Sequence, residues 1–185
     1  MGLYFCMENR LSDEILIQKF AQGDIHAFKE LVERYESLAI NVAYRFVGNR
    51  QDAEDMAQEA FLRVYHKIDS YQPIAPFKAW FLRILAHLCL DFHKKKRPQI
   101  QEEFSKVPSN TPSPRDEVIF SEEQRIIQQA VQDLKESQKM ALILCYYQGL
   151  RYQEIAQTME CSVKAVESLL IRAKRNLKKR LAGLI

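Results

Sequence analysis

The sequence predicts an all-α protein made of two small helical domains joined by a flexible linker, and three observations predict it. Only five glycines occur among 185 residues, too few for a β-rich chain that must turn often or for a Gly-rich phosphate loop. Apolar residues recur at spacings of three and four over most of the length, the period of helices with one buried face. Between residues 98 and 115 that period vanishes and four prolines (Pro98, Pro108, Pro112, Pro114) stand among serines, the composition of an extended connection.

Residues 1–10 carry no motif and read as an N-terminal extension; the first domain spans 11–97. Ser12 is placed to cap a first helix, with Asp13 and Glu14 in its first turn, and Gly23-Asp24 separates it from a second. In the second helix Phe28, Leu31, Val32, Tyr35, Leu38, Val42, Phe46 and Val47 form one apolar stripe that ends at Gly48. Asn49 then caps a third helix, with Asp52 at its third position. Met56, Ala60, Phe61, Val64, Tyr65 and Ile68 are expected on its buried side. After a loop from Asp69 to Pro76, a fourth helix begins near Phe77, carries Trp80, Phe81, Ile84, Leu85 and Leu88, and stops before Pro98.

Beyond the linker, the second domain spans 116–185. Ile119, Ile126, Ile127, Ala130, Val131 and Leu134 are expected to line one helix, and Met140 to Tyr147 a second that ends at Gly149. Tyr152 to Met159 forms a short helix and Glu160-Cys161 a turn. Ser162 caps a final helix through about Leu181, with Val163, Val166 and Leu170 facing inward. Such an arrangement is a helix-turn-helix with a basic second helix, although short helix pairs also occur in structural bundles.

With 47% hydrophobic and 28% charged residues, the chain is neither a disordered tail nor a fibrous repeat. No apolar run reaches the ~20 residues of a membrane span, and Met1 to Cys6 is too short and uncharged for a secretory signal, so a cytoplasmic protein is expected. Cys6, Cys89, Cys145 and Cys161 include no Cys-x-x-Cys pair, and the four histidines (His26, His66, His87, His93) show no metal-ligand spacing such as His-Glu-x-x-His. No metal, no cofactor and no catalytic constellation is therefore expected.

The net charge of +3 hides two basic clusters, Lys94-Lys95-Lys96-Arg97 and six cations between Arg172 and Arg180. They read either as solvated helix ends or as two contacts with a polyanion. On the last helix Ser162, Lys164, Ala165, Glu167 and Ser168 fall in the first two turns, where a recognition helix meets base edges. Arg172, Lys174 and Arg175 lie further on, within reach of phosphates. On the third helix Asp55, Gln58, Glu59 and Leu62 share one stripe, and the last three lie beyond the reach of the helix dipole; a mixed stripe of this kind suits a basic protein surface. Tyr71, Phe77, Trp80 and Phe81 gather around the proline loop, either as core or as a stacking platform for single-stranded nucleic acid.

These residues resemble a known family. Gly48 to Phe61 (GNRQDAEDMAQEAF) is similar to the core-polymerase-binding helix of bacterial sigma factors of the extracytoplasmic-function (ECF) group. Gly23-Asp24, Ala27-Phe28 and Leu31 to Tyr35 fit the preceding helices, and Phe77 to Ile84 with Asp91 resembles the helix after the promoter-melting loop. Gln153 to Ala156 and Val163 to Ser168 resemble the second domain. The resemblance implies that Asp55, Gln58, Glu59 and Leu62 bind the clamp helices of the largest polymerase subunit, and that the polymerase flap is a further contact. It implies that Tyr71, Trp80, His87, Lys94, Lys95 and Arg97 melt and hold the −10 element. Ser162, Lys164, Ala165, Glu167, Ser168, Arg172, Lys174 and Arg175 would then bind the −35 element, the linker would thread the polymerase channel toward the RNA exit, and an anti-sigma factor, able to hold the protein at the membrane, would control it.

Two departures from the family pattern stand out. His87 occupies a position where many members carry Asn, and Glu167 and Leu169 stand where many carry basic residues. Glu accepts a hydrogen bond from cytosine N4 in the major groove but repels phosphate. Two other readings remain at this level: a self-sufficient helix-turn-helix regulator with an N-terminal sensor, which gives the acidic stripe no task, and an enzyme, for which the histidines and acids would have to converge.

Overall fold

A computed structural model describes residues 11–68, 71, 76–96 and 122–182, with only the backbone described at 93–96 and 122–124. Arg97, Ile119 and the linker expected at 98–115 lie outside the described residues. Eight helices are described: α1 (Asp13–Ala21), α2 (Ile25–Val47), α3 (Arg50–Lys67), α4 (Phe77–Lys96), α5 (Glu122–Gln132), α6 (Glu136–Tyr146), α7 (Tyr152–Thr158) and α8 (Val163–Leu181).

Local chemistry sets most of their ends. Ser12, Asp24, Asn49 and Ser162 have extended backbones, and their side-chain oxygens accept from Ile15, His26, Asp52 and Ala165 amides respectively. Gly48 closes α2 with a φ of +85°, left-handed backbone in which a side chain would be strained. Two residues therefore suffice to reverse the chain, and α3 packs back along α2. Arg34 on α2 secures α1, donating to Asp13, to the Leu11 carbonyl at 2.9 Å and to Glu30 at 2.7 Å. The Tyr35 hydroxyl also donates to Asp13, and burial together with that carboxylate pushes the phenol's pKa well up.

The core of the first half is aromatic. Phe77 and Phe81 of α4 are fully buried, Phe81 lies 4.9 Å from Phe61 of α3, and Phe77 lies 5.1 Å from Tyr35 of α2 (ring centroids). Cys89 is buried beside Met56, and desolvation pushes its thiol up to about 12, so it stays an inert thiol at neutral pH. In the second half Met140, Ile143, Leu144, Ile155, Val166 and Leu170 are buried, joining α6, α7 and α8. The buried residues of both halves form one continuous cluster, because α5, α6 and α7 pack on α2 and α4.

Several expectations are corrected. Tyr65 was expected on the buried side of α3 but is 44% exposed, Ile127 is exposed on α5, and Val163 at the start of α8 is exposed rather than inward. Each sits at the edge of an apolar stripe, where neighbouring helices cover a side chain only in part. Helix α6 begins at Glu136, four residues before Met140, because its first turns bury the polar Gln138 and Lys139.

Candidate functional site

On α3, Ala53, Met56, Ala57, Ala60, Phe61 and Val64 face the core, and the alanines let α3 approach its neighbours closely. The opposite side carries the expected stripe. Asp55, Gln58 and Leu62 are exposed and Glu59 is half-buried. Gln51 donates to Asp55 at 3.3 Å and Arg63 to Glu59 at 2.8 Å, so both carboxylates are held outward in fixed positions. Leu62, 49% exposed, leaves uncovered apolar surface one turn beyond Glu59. Tyr65, three residues further, extends this surface; its ring rests on Phe20 at 5.3 Å and Phe28 at 5.4 Å. Its step of seven from Gln58 and three from Leu62 was the signal that could have placed it on the stripe.

The four aromatics around the loop divide. Phe77 and Phe81 are core, whereas Tyr71 and Trp80 are half-buried with rings 5.2 Å apart in an edge-on pair, leaving surface open for stacking. Two turns along α4 from Trp80 comes His87, and between them stands Arg83, a residue the sequence reading left unassigned although its spacing puts it on the same stripe. Arg83 donates from Nε at 3.1 Å, and from its terminal nitrogen, to Glu160 in the turn between α7 and α8. His87 Nε2 lies 3.9 Å from the other Glu160 oxygen. Arg83 first and His87 second hold the Glu160 carboxyl below the usual range. Lys94 and Lys95 lie on the last turn of α4 with side chains outside the described residues, as is Arg97.

Helices α7 and α8 form the expected helix-turn-helix. The Arg151 amide donates to Glu154 at 2.6 Å, closing the entry to α7, and Ile155, Ala156 and Thr158 are buried. Glu160 makes the turn with a φ of 51°, a left-handed backbone in a non-glycine residue. Beyond the Ser162 cap, successive steps of 100° bring Lys164, Glu167, Ser168, Arg172 and Arg175 onto one face, with Ala165 half-buried at its border. Arg172 donates to Ser168 at 2.6 Å, which fixes the guanidinium along that face. Ile171, 61% exposed at the centre of the same face, adds apolar surface that its spacing from Lys164, Glu167, Ser168 and Arg175 could have placed there. Lys174 departs from the group: its ammonium lies 5.5 Å from the Tyr146 ring, whose hydroxyl raises the lysine's pKa.

Among the described residues, no three His, Cys, Asp or Glu side chains come together as a metal-binding group, and no helix is long and apolar enough to cross a membrane.

Comparison with known proteins bears on the same two halves. Residues 31–99 match the family model of Sigma-70 region 2, and residues 124–177 that of Sigma-70 region 4. The ECF RNA polymerase sigma factor SigW of Bacillus subtilis is 30% identical over 179 residues, covering 91% of this chain and 96% of that protein. The structure of CnrH in complex with the cytosolic domain of CnrY superposes with a TM-score of 0.70 at 25% identity, over 92% of this chain and 97% of that one. The sigma factor RpoE of Bartonella quintana, crystallised with the anti-sigma factor NepR, shares the fold, with a TM-score of 0.69 over 84% of this chain and 96% of that one, at 22% identity.

Proposed function

Because this chain belongs to the ECF RNA polymerase sigma factors, we propose that it acts by dividing promoter-specific initiation among three of its helices. The α3 stripe of Asp55, Gln58, Glu59 and Leu62 binds core RNA polymerase at the clamp helices of its largest subunit. The α4 face holds the −10 strand, with Tyr71 and Trp80 stacking a base and His87, Lys94, Lys95 and Arg97 facing its backbone and edges. Helix α8 enters the major groove of the −35 element, whose ~12 Å width admits one helix. Ser162, Lys164, Ala165, Glu167 and Ser168 face bases and Arg172 and Arg175 face phosphates, while Lys174, which lies against Tyr146 in the free protein, reaches a phosphate only by leaving that ring. The functional domains are 11–97 and 116–185.

The observation that carries this reading is the combination, in one chain, of a mixed stripe on α3, an aromatic and cationic face on α4 and a capped basic α8. The protein contributes binding energy and no catalytic group of its own, and it works in the cytoplasm, where polymerase and promoter are. An anti-sigma protein that covers the polymerase and DNA faces controls it; CnrH bound to the cytosolic domain of CnrY supports a protein partner of this kind.

The test is transcription in vitro by bacterial core polymerase on a pool of promoter fragments, with and without the protein, followed by sequencing of the transcripts. Start sites that depend on the protein are expected and reveal both promoter elements. Their absence, with folded protein and active polymerase, favours a helix-turn-helix regulator that binds DNA unaided.

One contact can be weighed separately. Arg172→Ala is expected to weaken promoter binding and to lower the salt slope, log K against log[salt], by about 0.9, the loss of one phosphate contact. A slope equal to that of the parent protein takes Arg172 off the DNA backbone.

A further inference from the structure

Of the five residues at the start of α8 that lie toward bases, two are already bonded within the helix and one has no polar side chain. Ser162 Oγ accepts from the Ala165 amide at 3.2 Å, Ser168 Oγ accepts from Arg172 at 2.6 Å, and Ala165 presents only a methyl group. Lys164 and Glu167 remain. Both are exposed, and among the described residues neither makes a hydrogen bond or an ion pair through its side chain.

Of these two, Glu167 is not explained by the needs of the helix. It is the one acid in α8, whose other charges are all lysine and arginine. It stands at the fifth helical position, past the first turn in which the helix dipole favours a carboxylate. Four residues on, where a cation would pair with it, comes the apolar Ile171. Lys164, three residues back, precedes the acid, the less favourable order for such a pair, and leaves it unpaired. Toward phosphate the same charge is repulsive.

Base chemistry supplies the missing partner. An ionised carboxylate only accepts hydrogen bonds, so it suits a base edge that only donates. In the major groove cytosine offers its N4 amino group alone, whereas adenine sets the N7 acceptor beside its N6 donor and guanine and thymine offer acceptors. The guanine paired with that cytosine presents O6 and N7, which suit an ammonium. Lys164 lies about 60° around the helix from Glu167 and about 4.5 Å along it, close enough for the two side chains to reach one base pair.

We propose that Glu167 selects one cytosine in the −35 element by accepting a hydrogen bond from its N4, while Lys164 donates to the guanine of the same pair. The carboxylate lowers general affinity for DNA and raises discrimination between sequences. This rests on the assignment of α8 as the reader of the −35 element.

The test uses holoenzyme assembled from the full chain and bacterial core polymerase, with a protein-dependent promoter whose −35 element is randomised. Bound fragments are sequenced for the parent, Glu167→Gln and Glu167→Ala. The parent is expected to enrich cytosine at one position about tenfold over the other bases. Glu167→Gln is expected to move that preference to adenine, because an amide donates and accepts together and so pairs with N7 and N6. Glu167→Ala is expected to level the position to within about twofold and to bind the mixed pool about threefold more tightly, since a charge that repels phosphate is gone. An exposed acid with no base partner produces that gain in affinity as well, so the base preference decides. Both variants are expected to melt with the parent, as Glu167 is exposed and bonded to no other described side chain. The same bases enriched by the parent and both variants overturn the proposal and leave α8 as the reader, as does cytosine retained by Glu167→Gln. A parent holoenzyme that enriches no base across the −35 element overturns the assignment of α8 itself, and the proposal with it.

Discussion

Phe81→Ala is expected to destabilise the first half by about 3–5 kcal/mol, the usual cost of truncating a fully buried phenylalanine. Its ring is 0% exposed and meets one ring from each neighbouring helix: Phe61 of α3 at 4.9 Å and Tyr35 of α2 at 5.6 Å. Phe77, at 5.9 Å, packs from the same helix. The void left by alanine is thus walled by aromatic rings on three helices, none of which can collapse into it without losing its own contacts. Against a total stability of about 5–15 kcal/mol for a domain, the loss is large enough to populate unfolded chains at physiological temperature. Urea denaturation followed by the emission of Trp80, the one tryptophan in the sequence, reads the effect where it arises. A loss below about 1 kcal/mol would mean that the ring cluster is loosely packed.

The two ends of α4 illustrate what was legible in the sequence. Phe81, Leu85 and Leu88 follow a helical period, so their burial could be read directly. Helix caps were equally legible, since Ser12, Asn49 and Ser162 act on amides three residues away and need no other part of the fold. Arg83 could not be read that way. Its partner Glu160 is 77 positions distant, and no local rule connects them. Lys139 and Gln138 failed for a related reason: they are polar side chains buried by contacts that exist only once α6 is packed, Lys139 with α2 and Gln138 with Asn176 of α8. Tyr65, Ile127 and Val163 failed differently, because periodicity fixes the centre of a stripe and leaves its edges to whichever neighbour arrives. At Tyr65 that edge is informative. An aromatic ring supported by Phe20 and Phe28 yet open to solvent prolongs the very stripe that was read from Asp55 to Leu62.

Glu59→Arg combined with Leu62→Ala is expected to weaken binding to core polymerase about 100-fold, or roughly 3 kcal/mol, while the fold persists. The two changes act through different terms. Truncating Leu62, which is 49% exposed in the free protein, removes apolar area that only a partner can bury, worth about 1–2 kcal/mol at ~25 cal/mol per Å². Reversing Glu59 sets a cation against the basic surface expected on the partner, and like charges opposed across an interface cost several kcal/mol before screening. Neither term draws on the stability of the free chain. Leu62 has no core to lose, and the Glu59–Arg63 pair is a half-exposed i,i+4 bridge at the surface, of the kind that contributes about 0–1 kcal/mol. Thermal melting should therefore stay within a few degrees of the parent while titration of labelled protein with core polymerase shows the loss. Equal affinity of parent and double variant would remove this stripe from the polymerase interface. A melt that collapses together with affinity would mean that α3 depends on these two side chains for its packing, contrary to their exposure.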